Sequence, residues 1–232
     1  MNANYIMKTM SLALITAYFS LRVFVYMSLS RKGEKFFHII KNWSYSIIQT
    51  AGLKVKVNGL ENVPAEPVIF ASTHSSLFDI PVLFSVLSGK LSIVYKKELD
   101  KVPLFGAGMK KTPFIAIDRS NARSALESLK IAVKKINDGY SIIIFPEGTR
   151  SKDGRLQSFK RGAFMLASLS GAKVVPVTIK GTYEINPPGA KSIQPMDVQM
   201  YIGKAIDIGN RSGKEAEKYL SEKVHYEMKK YY

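Results

Sequence analysis

The sequence predicts an α/β protein: a mixed, largely parallel sheet flanked by helices, with an N-terminal hydrophobic two-helix membrane element in front of it. Three observations predict this. Short apolar runs at 68–71, 91–95, 114–117, 141–145 and 174–179 read as buried strands. Stretches with helical spacing lie between several of them, the alternation expected of parallel strands joined by helices. Residues 9–29 are almost wholly apolar or small, and a second apolar stripe follows. The composition shifts near residue 50. We therefore expect a membrane-associated helical hairpin over 1–52 and one α/β domain over 53–232.

About 20 apolar residues can span a bilayer, but Arg22 interrupts the first segment and would be costly near a helix centre. In the second segment, 33–50, Phe36, Ile40, Trp43 and Ile47 fall on one face, and Gly52 ends the helix. Tyr18, Tyr26 and Trp43 suit the water–lipid boundary, with Lys32, Lys35 and Lys41 near an anionic leaflet. The expectation is a hairpin dipped into or lying on one leaflet. A single transmembrane anchor and a cleaved signal peptide are the competing readings; Arg31, Lys32 and Lys35 after Ser28-Leu29-Ser30 oppose translocation.

Residues 53–57 alternate lysine with apolar residues and read as a strand with one wet face. The run 68–71 gives way to Ser72, Thr73 and His74, and a helix begins around Asp79 with Pro81 in its first turn. Ser120 is placed to cap a helix reaching Asn137, with Leu126, Leu129, Val133 and Ile136 inward. The run 141–145 enters the turn Pro146-Glu147-Gly148-Thr149-Arg150, and a helix is expected over 159–170. Pro176 suggests that 174–179 is an edge strand or carries a bulge. A last strand at 198–202 and a helix after the capping-box pattern Ser212-Gly213-Lys214-Glu215 close the chain.

Thirty-four Lys and Arg against 18 Asp and Glu give a net charge of +16, which calls for anionic company: lipid, phosphorylated substrates or nucleic acid. The 232 residues contain no cysteine, so disulfides, thiolate metal sites and a cysteine nucleophile are excluded. With three scattered histidines, no metal site is expected.

Polar residues collect where the strands end. His74 and Asp79 stand at a strand-to-helix handover, where a neutral imidazole can take a proton from a hydroxyl while a carboxylate orients it. A capping role for Asp79 is the plain alternative. Asp118-Arg119 ends another strand. Glu147, Gly148, Thr149 and Arg150 end a third, with Gly148 expected to leave N–H groups outward as an anion nest and Arg150 to offer a planar fork for phosphate. If these strands are parallel neighbours, one general base and two phosphate-grade cations share a sheet edge. Lys96, Lys97, Lys160 and Arg161 are further candidates around it.

The run Thr73-His74-Ser75-Ser76-Leu77-Phe78-Asp79, then Phe114-Ile115-Ala116-Ile117-Asp118-Arg119, then Phe145-Pro146-Glu147-Gly148-Thr149-Arg150-Ser151, then Val174-Val175-Pro176-Val177, in this order and spacing, resembles the motifs of the glycerolipid acyltransferase family, most closely its bacterial 1-acylglycerol-3-phosphate acyltransferases. The match covers about 53–181. Thr73 departs from the asparagine frequent in the family, and a small change in local hydrogen bonding is expected there.

The resemblance implies acyl transfer from an acyl carrier protein or coenzyme A thioester to the sn-2 hydroxyl of lysophosphatidic acid, giving phosphatidic acid, with no further cofactor and no covalent acyl-enzyme. His74 would be the base and Asp79 its orienting partner. Lys96, Arg119 and Arg150 would bind phosphate, and the turn at Glu147, Gly148 and Thr149 would shape the acceptor pocket. Backbone N–H groups there or near the helix after His74 could hold the oxyanion. The enzyme would sit on the cytoplasmic membrane with its catalytic domain on the cytoplasmic face. The same fold with another acceptor, glycerol-3-phosphate or another lysolipid, is the alternative. A non-catalytic basic module is a remote one, because no nucleic-acid motif is present.

Overall fold

Among the residues described by the computed structural model, 3–30, 35–118, 121–160, 162–190 and 193–232, seven strands form one sheet. They are β1 (Lys54–Asn58), β2 (Ile69–Ser72), β3 (Leu91–Lys96), β4 (Ile115–Ile117), β5 (Ser141–Ile144), β6 (Val174–Lys180) and β7 (Asp197–Ile202). The spatial order is β1-β7-β6-β2-β5-β3-β4. Every neighbouring pair is parallel except β6 and β7. Five adjacent strands therefore run the same way, with β2 and β5 central among them, and their carboxyl ends share one edge.

The helices are α1 (Ala3–Leu29), α2 (Phe36–Ala51), α3 (Asp79–Val86), α4 (Phe105–Met109), α5 (Ala122–Asn137), α6 (Gly162–Ser170), α7 (Thr182–Ile185) and α8 (Gly213–Lys229). They cover both faces of the sheet. Successive strand side chains point to opposite faces, so β5 sends Ile143 one way and Ile142 and Ile144 the other. Ile143 joins Phe70, Val175 and Val177 under α2 and α3, meeting Ile47, Ile48, Val82 and Leu83. Ile142 and Ile144 join Ile69, Ala71 and Val174 under α5, α6 and α8, meeting Ala132, Phe164, Leu220 and Val224. A strand buried on both sides has no wet face, which is why these strands read as unbroken apolar runs rather than alternations. β1 lies at the margin and does alternate, with Lys56 exposed and paired to Asp197 at 2.8 Å.

The structure corrects several local expectations. β6 is an interior strand, not an edge. Pro176 is tolerated because the ladder to β7 breaks beside it: Val177 faces Ile202, but Val174 faces Ile206, so three steps on one strand oppose four on the other. The bulge half of the expectation holds. The Pro176 carbonyl still accepts from the Gly203 N–H at 2.9 Å. α5 is capped by Asn121, whose side chain accepts from the N–H groups of Arg123 and Ser124; Ser120 lies outside the described residues. Leu126 is exposed, while Leu129, Val133 and Ile136 pack inward as expected, together with Ser128 and Ala132. α6 begins at Gly162 rather than 159 because Phe159 and Lys160 belong to a loop, where the Lys160 N–H donates to the Pro146 carbonyl at 2.7 Å. Ser212 holds the N-cap place of α8, but its side chain makes no capping hydrogen bond.

α1 is long and apolar enough, by length and composition, to cross a membrane. One of its faces is committed to the protein: Phe19 and Val23 pack with Phe36 and Ile39 of α2. The other is an exposed stripe of Met7, Met10, Leu14, Tyr18, Leu21, Val25 and Leu29, spaced at three and four so that it runs straight along about 33 Å of helix. α2 behaves differently. Its predicted apolar stripe turns inward, Phe36 and Ile39 to α1 and Ile47 and Ile48 to the sheet. Gly52 closes α2 in the left-handed conformation (φ 75°), with the N–H groups of Gly52 and Leu53 returning to Gln49 and Ile48. The expectations resting on Arg31, Lys32 and Gly33 fall outside the described residues.

Candidate active site

β2 ends at Ser72, and the chain turns at the carboxyl edge before α3 begins at Asp79. The turn is stitched to both neighbouring strands. The Thr73 N–H donates to the Val177 carbonyl, and the Thr73 hydroxyl oxygen accepts from the Ile179 N–H at 3.0 Å. Thr73 thus extends the β2–β6 ladder with its side chain, which is how this threonine satisfies the position. His74 follows. Its ring stacks on Phe145, centroids 3.9 Å apart and planes at 18°.

The five-residue separation brings His74 and Asp79 together. His74 Nδ1 lies 2.8 Å from Asp79 Oδ2. The carboxylate is fully buried and receives other donors: the N–H groups of Ser75 (2.8 Å) and Ser76 (2.9 Å) on Oδ2, and the Thr182 hydroxyl (2.5 Å) on Oδ1. Its oxygens accept hydrogen bonds from both sides, which fixes the carboxylate in place. It fixes the imidazole tautomer with the proton on Nδ1, leaving Nε2 as the proton acceptor. No protein partner is bonded to Nε2 among the described residues, and the side chain is 15% exposed, so the ring reaches the surface of the edge. Asp79 is the first residue of α3, but it does not cap it: Phe78 holds the N-cap place, and the Asp79 side chain bonds the N–H groups of Ser75 and Ser76 ahead of the helix.

β5 lies beside β2 and delivers the next cluster. Glu147 is 3% exposed, and both of its oxygens are engaged: Oε1 accepts from the His74 N–H at 2.8 Å and Oε2 from the Gln157 N–H at 3.0 Å. Burial pushes its carboxyl above the ordinary value, while the two backbone donors and the nearby imidazole oppose the rise. The turn is also a packed one: Pro146 and Glu147 are buried, and Glu147 clamps the His74 turn to the following loop. That loop returns over the edge. The Ser151 N–H donates to the His74 carbonyl at 2.7 Å, and the Tyr183 hydroxyl to the Lys152 carbonyl at 2.8 Å. The ring of Tyr183 lies against Gly154, where a Cβ would meet it at 2.9 Å.

Gly148 adopts a left-handed conformation (φ 79°), but its N–H closes a turn onto the Phe145 carbonyl at 3.0 Å. The outward nest expected there is not formed by that group. The Ser75 and Ser76 N–H groups near α3 are likewise committed, to Asp79. Thr149 is exposed and Arg150 half-buried in the same turn. Lys96, at the end of β3 and two strands from β2, is exposed and pairs with Glu98 at 3.2 Å. At about 4.8 Å per strand it stands roughly 10 Å along the edge from the His74 strand. Asp118 follows β4, one strand further, and Arg119 lies outside the described residues. Ser75 and Ser76 point away from the imidazole: the Ser75 hydroxyl bonds to Thr182 at 3.1 Å and the Ser76 hydroxyl donates to the Asn186 carbonyl at 3.1 Å.

Thr182 escaped the sequence reading although a signal was present. Lys180-Gly181-Thr182 ends β6, the other neighbour of β2. A survey of every strand end, rather than of three, would have placed it beside Asp79. Gly181 (φ 93°) makes the approach possible, since a Cβ there would meet the Asp197 carbonyl oxygen at 2.6 Å.

A family model described as Acyltransferase matches residues 54–180, spanning β1 to the end of β6. A chloroplastic 1-acyl-sn-glycerol-3-phosphate acyltransferase of Arabidopsis thaliana is 38% identical over 69% of this chain and 45% of its own. A 1-acyl-sn-glycerol-3-phosphate acyltransferase of Pseudomonas aeruginosa is 36% identical over 72% of this chain and 66% of its own. Against the first of these relatives, the chain spans about half of their length. The crystal structure of the 1-acyl-sn-glycerophosphate (LPA) acyltransferase PlsC from Thermotoga maritima superposes with a TM-score of 0.73 at 29% identity, covering 97% of both chains. More than half of the sequence, including the His74–Asp79 turn and the turn at Glu147, matches that family model, and the chain belongs to the Acyltransferase family.

Proposed function

We propose that the protein transfers a fatty acyl group from a thioester, on acyl carrier protein or coenzyme A, to the sn-2 hydroxyl of lysophosphatidic acid, yielding phosphatidic acid. The observation that carries this is the His74–Asp79 pair, buried at its base and open at Nε2, within a chain whose relatives bear that activity in their names. His74 Nε2 takes the proton of the acceptor hydroxyl as its oxygen attacks the thioester carbon. The tetrahedral intermediate collapses, the C–S bond breaks, and the thiolate leaves with the proton from the imidazolium. Asp79 stabilises the imidazolium, and Glu147 holds the turn that carries it. The route is direct: both nearby serine hydroxyls are turned into the structure, and the sequence has no cysteine. Arg150, Arg119 and Lys96 are our choices for the acceptor phosphate. The chemistry calls on no cofactor beyond the thioester.

The first 52 residues serve, in this proposal, to keep the site at the lipid. α1 lies along the surface of one leaflet rather than across the bilayer, because the protein grips it at both ends. The Tyr5 hydroxyl donates to the Ala190 carbonyl at 3.2 Å, and the Lys111 ammonium sits 5.2 Å above the Phe24 ring. The positive charge directs this surface to an anionic leaflet, which in a cell is the cytoplasmic one. The test is acyl transfer by the purified chain in vesicles, with lysophosphatidic acid and each thioester in turn. Phosphatidic acid formed by the parent and lost in a folded His74→Ala variant supports the proposal. Product on glycerol-3-phosphate or another lysolipid alone would replace the acceptor, and no product with any acceptor would refute the enzyme.

A further inference from the structure

The segment between β3 and α4 carries a feature that the acyl-transfer chemistry does not use. Leu99, on the short 3-10 helix Lys97–Lys101, and Val102 and Leu104, on the turn that follows it, are 39%, 44% and 38% exposed within six residues. Leu104 has φ 60° and ψ −53°, and among the described residues it is the one non-glycine with positive φ. A leucine in that region is costly and persists only where its surroundings impose it. They do so here. The Tyr95 hydroxyl of β3 holds the Asp100 side chain at 2.8 Å, and Gly106 packs so closely on the Asp100 carbonyl that a Cβ would meet its oxygen at 2.3 Å. The Gly106 N–H donates to the Val102 carbonyl at 2.7 Å. The turn is tied at both ends, and its apolar side chains face outward.

The setting identifies what those side chains meet. Val102 and Leu104 line a cavity of about 470 Å³ whose opposite wall is Phe24 of α1, with Lys101, Lys110 and Lys111 around it. At 100° per residue, Phe24 stands on the flank between the buried face of α1 and its exposed stripe. The backbone of Ser20, on the same flank, lies against Gly108 of α4. The turn therefore continues the apolar surface of α1 sideways onto the α/β domain and rims it with three cations. The acids near it are engaged, Asp100 by Tyr95 and Glu98 by Lys96. Apolar side chains that protrude inside a ring of lysines match a lipid leaflet with anionic headgroups.

We propose that the turn at 99–104 is a second membrane contact, in which Val102 and Leu104 enter an anionic leaflet beside α1 while Lys101, Lys110 and Lys111 take its phosphates. The proposal rests on the in-plane placement of α1 given above. Two contacts on different elements fix the rotation of the domain about α1, and so the side from which the lipid acceptor meets His74.

The test uses the full chain, which has no cysteine, so one introduced thiol labels one place. Leu104→Cys, Leu14→Cys on the α1 stripe and Leu169→Cys on α6, across the sheet, each carry an environment-sensitive NBD fluorophore. Vesicles are phosphatidylcholine alone or with about a third phosphatidylglycerol, with doxyl-labelled lipid as quencher. Blue-shifted, quenchable emission at positions 104 and 14 but not at 169, stronger with phosphatidylglycerol, is the expected result. Neutralising Lys101, Lys110 and Lys111 together to glutamine weakens binding to the anionic vesicles on the order of a hundred-fold, at about five-fold per lysine. A response at 14 with silence at 104 overturns the second contact and leaves α1 in the leaflet. Silence at both removes the membrane placement of α1 as well. If Leu104→Cys does not fold, Val102→Cys carries the same expectation.

Discussion

Replacing Glu147 with glutamine separates two roles that one position could play. The side chain is buried and divides its oxygens between two backbone donors, the N–H groups of His74 and Gln157. Glutamine keeps the shape, but only one of its terminal atoms accepts a hydrogen bond. One buried N–H then faces an NH2, at a cost of about 1–3 kcal/mol, and the surviving bond loses its charge assistance, about 1 kcal/mol more. Relief of the buried charge offsets part of this, since burial already pushes the carboxyl upward. The net loss is about 1–3 kcal/mol, which lowers Tm by roughly 3–10 °C in a chain of this size. The pH dependence has a definite sign. A carboxyl raised by folding binds its proton more tightly folded than unfolded, so its contribution to stability falls as pH rises from the unfolded value through the raised one. The penalty of Glu147→Gln is accordingly greatest in acid and narrows as pH rises through that window. The turn that loosens carries His74, so kcat drops by about 10–10²-fold while KM for the acceptor stays near the parent value. Thermal unfolding at several pH values and steady-state kinetics on vesicles measure both. An unchanged Tm with a raised acceptor KM would refute the clamp and make Glu147 a group that touches substrate.

Further outcomes follow from the same geometry. His74→Ala lowers kcat by about 10²–10⁴-fold with the circular dichroism of the fold intact, because the ring is partly exposed and one backbone clamp is independent of it. Asp79→Asn costs about 10–10²-fold in kcat, since the Ser75 and Ser76 N–H groups keep an oxygen at the Oδ2 position and only the charge is lost; equal activity would refute the orienting role. Thr182→Val removes a hydroxyl bonded to a buried carboxylate and lowers stability by about 1.5–3 kcal/mol in denaturant titration, with Thr182→Ser restoring most of it. Leu14→Glu combined with Leu21→Glu, both on the exposed stripe, lowers vesicle binding by about 10²-fold or more in a flotation assay and leaves solution folding unchanged.

Much of the molecule was legible in the order of its residues, and the reasons are local. Burial on both faces demands continuous apolar runs, so the central strands declare themselves. A histidine and a carboxylate five residues apart across a strand-to-helix turn need little more than that turn to meet, so the contact of His74 with Asp79 could be anticipated from sequence. The motif order disclosed the family for the same reason, because its motifs are short segments at strand ends. The tertiary structure decided what depends on which elements become neighbours. It placed β6 beside β2, which brought Thr182 to Asp79 across 103 positions and made Pro176 an interior residue at a bulge. It turned Glu147 and the Gly148 N–H inward to hold the turns, where sequence reading had aimed them at substrate. It also divided two apolar helices into one that completes the core and one that leaves a stripe exposed. Hydrophobic periodicity records that a helix has an apolar face; what that face meets is set by long-range packing, which periodicity does not encode.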